Sequence, residues 1–109
     1  MATVIPFQDL EFSPTARLFE GGADLGVSIF VTNYERGQGP KLHLHPYQEV
    51  FVVHAGTARF TAGDEELTVE AGNIVIVPAE TPHAYESAGD DTLRVTSVHP
   101  SGAVQQTDL

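Results

Sequence analysis

Residues 37–56 read Gly37-Gln-Gly-Pro-Lys-Leu-His43-Leu-His45-Pro-Tyr-Gln-Glu49-Val-Phe-Val-Val-His54-Ala-Gly56. His43 and His45 are two positions apart, so on an extended backbone both imidazoles point to one face. Pro46 then bends the chain, and Glu49 opens a new apolar run; a hairpin or bend here returns its carboxylate to the two rings. A second stretch, Gly72-Asn-Ile-Val-Ile-Val-Pro78-Ala-Glu80-Thr-Pro82-His83-Ala-Tyr85-Glu-Ser87, puts a third histidine at the start of another strand. Three neutral imidazoles and one carboxylate make a suitable donor set for a divalent first-row metal. The set carries charge −1, so a divalent ion brings the site to +1. An octahedral ion would keep two positions for water, oxygen or a chelating substrate.

Working outward, helical periodicity is nearly absent. Short runs rich in Val, Ile, Phe, Tyr and Thr alternate with Gly and Pro about every ten residues. Strands are predicted at 27–35, 49–54, 58–62, 67–69, 74–77, 83–87 and 93–98. Gly56 breaks the second, Gly63-Asp64 marks a turn, and Pro78 ends the fifth. Seven short strands with turn chemistry between them predict an all-β sandwich or barrel. Only Thr15 to Phe19 is compatible with a helical turn. Residues 102–109 are polar and expected to fray unless they dock on a neighbour.

The chain of 109 residues has the length of one domain, 1–109, with no internal repeat or low-complexity linker. Five Lys and Arg against fifteen Asp and Glu give a formal charge of −10. That balance argues against neutralising phosphates, so neither nucleic acid nor an anionic membrane is an expected partner. The absence of cysteine excludes disulfides, thiolate catalysis and sulfur-ligated zinc. With no basic n-region and no run near the roughly 20 apolar residues of a bilayer span, a cytoplasmic protein is expected.

The two stretches resemble the paired motifs of the cupin superfamily, G-x5-H-x-H-x3-E-x6-G and G-x5-P-x-G-x2-H-x3-N. Motif one, 37–56, matches at Gly37, His43, His45, Glu49 and Gly56. Motif two, 72–87, matches at Gly72, Pro78 and His83, and departs at Glu80, where glycine is usual, and at Ser87, where asparagine is usual. The resemblance implies a small single-domain cupin: an antiparallel jelly-roll barrel of six to eight strands. It also implies one divalent metal (Fe, Mn, Ni, Zn, Cu or Co) held at one end by His43, His45, Glu49 and His83. If position 80 needs a left-handed backbone, a non-glycine residue there costs about 1–2 kcal/mol.

Counting by twos from the ligands places Phe51, Val53, Tyr85, Ser87 and Lys41 on the metal's side of their strands. Tyr85 is the candidate catalytic residue, as a hydrogen-bond or proton donor. Lys41 and Arg94 are weaker candidates for attracting an anion. His54 has the opposite parity to Glu49, and His99 follows the last strand before Pro100; both are expected to be structural or exposed. The leading expectation is a metal-dependent, oxygenase-type enzyme acting on a small chelating organic molecule. The alternatives are a metal-dependent lyase or isomerase of a small carbonyl compound, and a non-catalytic ligand-binding cupin with a structural metal. A homodimer is expected, with the apolar segment Val4 to Phe12 covering a neighbour's sheet edge.

Overall fold

Alternation of side chains, rather than helical spacing, governs nearly the whole chain. The computed structural model, which describes all 109 residues, contains eleven strands. They are β1 (Glu11–Ser13), β2 (Ala16–Glu20), β3 (Ser28–Tyr34), β4 (His43–Leu44), β5 (Glu49–Ala55), β6 (Thr57–Ala62), β7 (Glu65–Glu70), β8 (Asn73–Val77), β9 (His83–Ser87), β10 (Leu93–His99) and β11 (Thr107–Asp108). Two single turns of helix, at Phe7–Leu10 and Gly22–Leu25, complete the set. The strands pair antiparallel in two sheets, β1-β2-β3-β10-β5-β8 and β11-β4-β9-β6-β7.

This is the all-β jelly roll expected, with one correction: the sheets face each other and do not close into a barrel. The Ala71-Gly72 turn lies at one of the open seams, between β7 and β8. Its amides are not spent on a hairpin between β7 and β8; Ala71 N–H donates to Gly56 O and Gly72 N–H to Val53 O, so the chain crosses from one sheet to the other. Gly56, at φ 80°, makes the tight β5–β6 turn, and a Cβ there would lie 2.8 Å from Leu93 Cα.

The seven predicted strands all form, each within two residues of the expected ends. The compatible helical turn at Thr15 to Phe19 does not: Ala16 to Glu20 is β2, because its period-two pattern turns Ala16 and Leu18 inward while it pairs with β3. The C-terminal segment also departs from expectation. It docks on its own chain, through Gly22 N–H to Gly102 O, Val104 N–H to Glu20 Oε2, and β11 against β4. Residues 3–10 likewise lie over their own sheet, with Ile5, Phe7 and Leu10 facing Phe19, Ile29 and Val31 across a shallow groove.

Between the sheets lies a core of Phe51, Val53, Ala58, Phe60, Val75, Val77, Tyr85, Leu93 and Val95. Phe60 stacks on Tyr85, and Phe51 meets both rings edge-on. Towards the other end the inward positions turn polar. Along β10 they run Leu93, Val95, Ser97, His99; along β5, Val53, Phe51, Glu49; all are buried. The candidate site occupies that polar end.

Candidate metal centre

His43, on β4, pairs in register with His83 at the start of β9. His45 follows β4, and Glu49 begins β5 after the Pro46 bend. All four side chains are buried, and one donor atom from each falls within 4.8 Å of the others. The loop before His83 is set by Glu80, whose N–H donates to His45 O at 2.8 Å. Glu80 has φ 60°, so the position does require the left-handed backbone, and a non-glycine residue adopts it.

Three backbone carbonyls decide which nitrogens are available. His43 Nδ1 donates to Lys41 O at 2.6 Å, His45 Nδ1 to Gln105 O at 2.7 Å, and His83 Nδ1 to Thr81 O at 2.8 Å. A carbonyl only accepts, so each Nδ1 carries a proton, and in the neutral ring each Nε2 presents a lone pair. Two of those Nε2 atoms, of His45 and His83, stand 3.0 and 3.1 Å from Glu49 Oε1. Lone pairs facing a carboxylate repel unless a cation or an added proton lies among them. His45 Nε2, although close to the carboxylate, makes no aligned hydrogen bond there and is buried without a partner. Convergent ligand atoms of this type, with His45 Nε2 left unpaired, fit a divalent ion.

The electrostatics of Glu49 and His43 agree with that geometry. Burial would raise the pKa of Glu49, but the imidazoles of His45, His83 and His99 gathered around it outweigh burial and hold the carboxyl well below its usual range. Burial lowers the pKa of His43, with His83 and His45 adding to the effect against the Lys41 carbonyl; this favours the neutral ring that a metal requires. Burial also opposes protonation of His45, yet Glu49 and the Gln105 carbonyl raise its pKa overall.

Of the two alternatives for His99, structural or exposed, the structure gives the first. His99 is 1% exposed, and its Nε2 lies 3.0 Å from Glu49 Oε2. Because the carboxylate accepts, His99 Nε2 is the donor. Tyr47 OH then donates to His99 Nδ1 at 2.7 Å and accepts from Gln105 N–H at 3.3 Å. Tyr47 also stacks on His45, with ring planes 5° apart. Glu49 Oε2 is thus held from behind while Oε1 faces the histidines. The signal for His99 was its parity: counting by twos from Leu93 reaches it on the inward face, with the polar Ser97 just before it.

Other expectations divide. Phe51 and Tyr85 line the cavity beside the cluster, with Tyr85 OH 3.3 Å from Thr32 Oγ1. Lys41 and Arg94 are exposed and outside the cavity, Lys41 because it precedes the short β4, Arg94 because it has the outward parity of β10. His54 is exposed and bonds Thr96, as expected. Ser87 Oγ is buried without a partner, in keeping with a side chain shorter than asparagine. Glu20, Val104 and Gln106 line the cavity and carried no sequence signal.

A family model described as "Cupin domain" matches residues 30–99. No protein of curated function is similar enough to match. Among solved structures, an oxalate decarboxylase from Lactobacillus farciminis in a formate complex superposes with a TM-score of 0.80 at 17% identity, over 94% of this chain and 34% of that one. Bacillus subtilis oxalate decarboxylase, described with Mn(II) centres, gives 0.80 at 20% identity, over 94% and 31%. This chain therefore spans about a third of the length of those enzymes. An uncharacterized conserved protein with a double-stranded β-helix domain from Klebsiella pneumoniae subsp. pneumoniae gives 0.78 at 18% identity, over 98% and 96%. At these identities the likeness is one of fold. The matched segment covers well over half the chain and contains all four clustered residues, and the protein belongs to the cupin domain family.

Proposed function

We propose that the protein is a metal-dependent enzyme of oxygenase type that acts on a small chelating organic molecule, with His43, His45, Glu49 and His83 as the metal ligands. The single observation that supports this is the cavity of about 460 Å³ onto which His43, His45 and Glu49 open. A structural ion is commonly enclosed by protein donors, whereas a catalytic one keeps positions facing a substrate space. The cavity is within the size range of small-molecule sites.

When bound, a divalent metal supplies Lewis-acid polarisation and, if redox-active, oxygen chemistry. The chain's own residues orient and shield. Lys41, Gln105 and Thr81 carbonyls fix the three imidazole tautomers, His99 fixes Glu49, and Phe51 excludes water from the inner wall. Tyr85 serves as a neutral hydrogen-bond donor to the substrate; burial raises its pKa, which favours donation over deprotonation.

Oxygen uptake by iron-, manganese- and nickel-loaded protein with an enediol, a diketone and a catechol tests the proposal. Metal-dependent uptake with at least one is expected; none with any would overturn the oxygenase reading.

We further propose a homodimer formed through the outer face of the six-stranded sheet. Ile74 and Ile76, 63% and 62% exposed on the edge strand β8, continue cross-strand rows through Val52 and Val50. Residues 3–10 cover only the β2–β3 end of those rows. A contiguous apolar face of this kind favours association. A sedimentation mass of about 23 kDa, twice the 11.7 kDa chain, is expected; a monomer mass at micromolar concentration would contradict it.

A further inference from the structure

The chain has five Lys and Arg, and each is placed away from the cavity. Arg17 faces the groove on the outer side of β2. Arg36 pairs with Asp90 and Arg59 with Glu86 at the surface. Lys41 and Arg94 are exposed. The walls instead carry Phe12, Leu18, Phe30 and Phe51, with the hydroxyls of Thr32, Tyr85 and Ser97 as neutral polar groups. The only carboxylates in the lining are Glu49 and Glu20, and Glu20 stands where Val104 N–H caps its Oε2.

We infer that the cavity selects a largely apolar, planar chelator bearing at most one negative charge, and discriminates against small dianions. This rests on the metal reading above. A divalent ion with Glu49 and three neutral imidazoles sums to +1, so a monoanionic chelate brings the buried site to neutrality. A dianion leaves a net negative charge among walls that hold no cation. An uncompensated charge in such surroundings is strongly disfavoured. The wall also favours a ring: Phe12 and Phe30 meet edge-to-face with centroids 5.4 Å apart, a surface suited to an aromatic or flat conjugated body. A two-carbon diacid would leave that surface unused.

The test uses the full chain loaded with Co(II), titrated by its visible absorption with two bidentate oxygen chelators. Maltol is a neutral ring compound that binds as a monoanion; oxalate is a dianion. Each affinity is divided by that chelator's affinity for aqueous Co(II). The expected result is a preference for maltol of at least about tenfold. Leu18→Arg, which puts a guanidinium into the wall, is expected to bring the ratio down at least severalfold. A corrected ratio near or below one in the unaltered protein overturns the inference, as does a folded Leu18→Arg variant with an unchanged ratio. A protein that develops no Co(II) absorption of its own overturns the metal reading itself, a separate result.

Discussion

The two ends of the space between the sheets are built from the same strands and are chemically opposite. At one end Phe51, Phe60, Val53, Val77, Leu93 and Val95 bury apolar surface with no polar atom to satisfy. At the other, His43, His45, Glu49, His83, Ser97 and His99 bury polar groups whose hydrogen bonds run largely to one another and to loop carbonyls. Both β5 and β10 pass from the first environment into the second within about four residues. The apolar end favours folding; the polar end is costly to desolvate and is retained by a pre-arranged network. Stability and chemistry are thus separable along a strand, and substitutions at the two ends should report different quantities.

The largest effect is expected at the apolar end. Phe60→Ala should destabilise the fold by about 3–5 kcal/mol through loss of a fully buried ring, read by denaturant unfolding. A loss below 1 kcal/mol would mean that Phe60 is not a core anchor. At the polar end, His99→Phe should weaken metal binding about 10–100-fold in competition with a chelator, because Glu49 Oε2 loses its donor. Unaltered affinity would show that His99 only fills space.

How far this contrast was legible in the sequence depended on spacing. His43, His45 and Glu49 could be read because alternation and one proline bend bring them together over seven positions. His83 was read from its strand start and from motif two. His99 lies sixteen residues further on and belongs to no motif, so only its inward parity with Leu93, Val95 and Ser97 marked it. The docking of residues 102–109 was illegible for another reason: its hydrogen bonds are made largely by backbone atoms, such as Gln105 O to His45 Nδ1, which side-chain composition does not encode. The crossing from β7 to β8 turns on the backbone donors of Ala71 and Gly72, equally silent in the sequence.

Smaller effects sharpen the contrast. Glu80→Gly relieves a left-handed residue in the loop that carries His83, and should stabilise the protein by about 1 kcal/mol once the greater freedom of unfolded glycine is counted. A thermal melt would show a rise of a few degrees; a fall would mean that the Glu80 side chain contributes something beyond backbone geometry. The three tyrosines give a pH test. Burial raises the pKa of Tyr34, Tyr47 and Tyr85 above the ordinary value of 10.0. The folded chain therefore holds these protons more tightly than the unfolded one. Stability from this source is intact below about pH 10 and falls as pH rises beyond it. Phenolate absorbance should lag an unperturbed tyrosine and appear with unfolding; full titration near pH 10 with the fold intact would contradict the burial.

The central claim is that four buried side chains hold a divalent metal. Metal analysis of protein purified without an affinity tag, beside the His83→Ala variant, tests it most directly. The account predicts near-stoichiometric iron, manganese, nickel, zinc, copper or cobalt that falls sharply in the variant. Protein that carries no such metal and takes up none when it is added would contradict it.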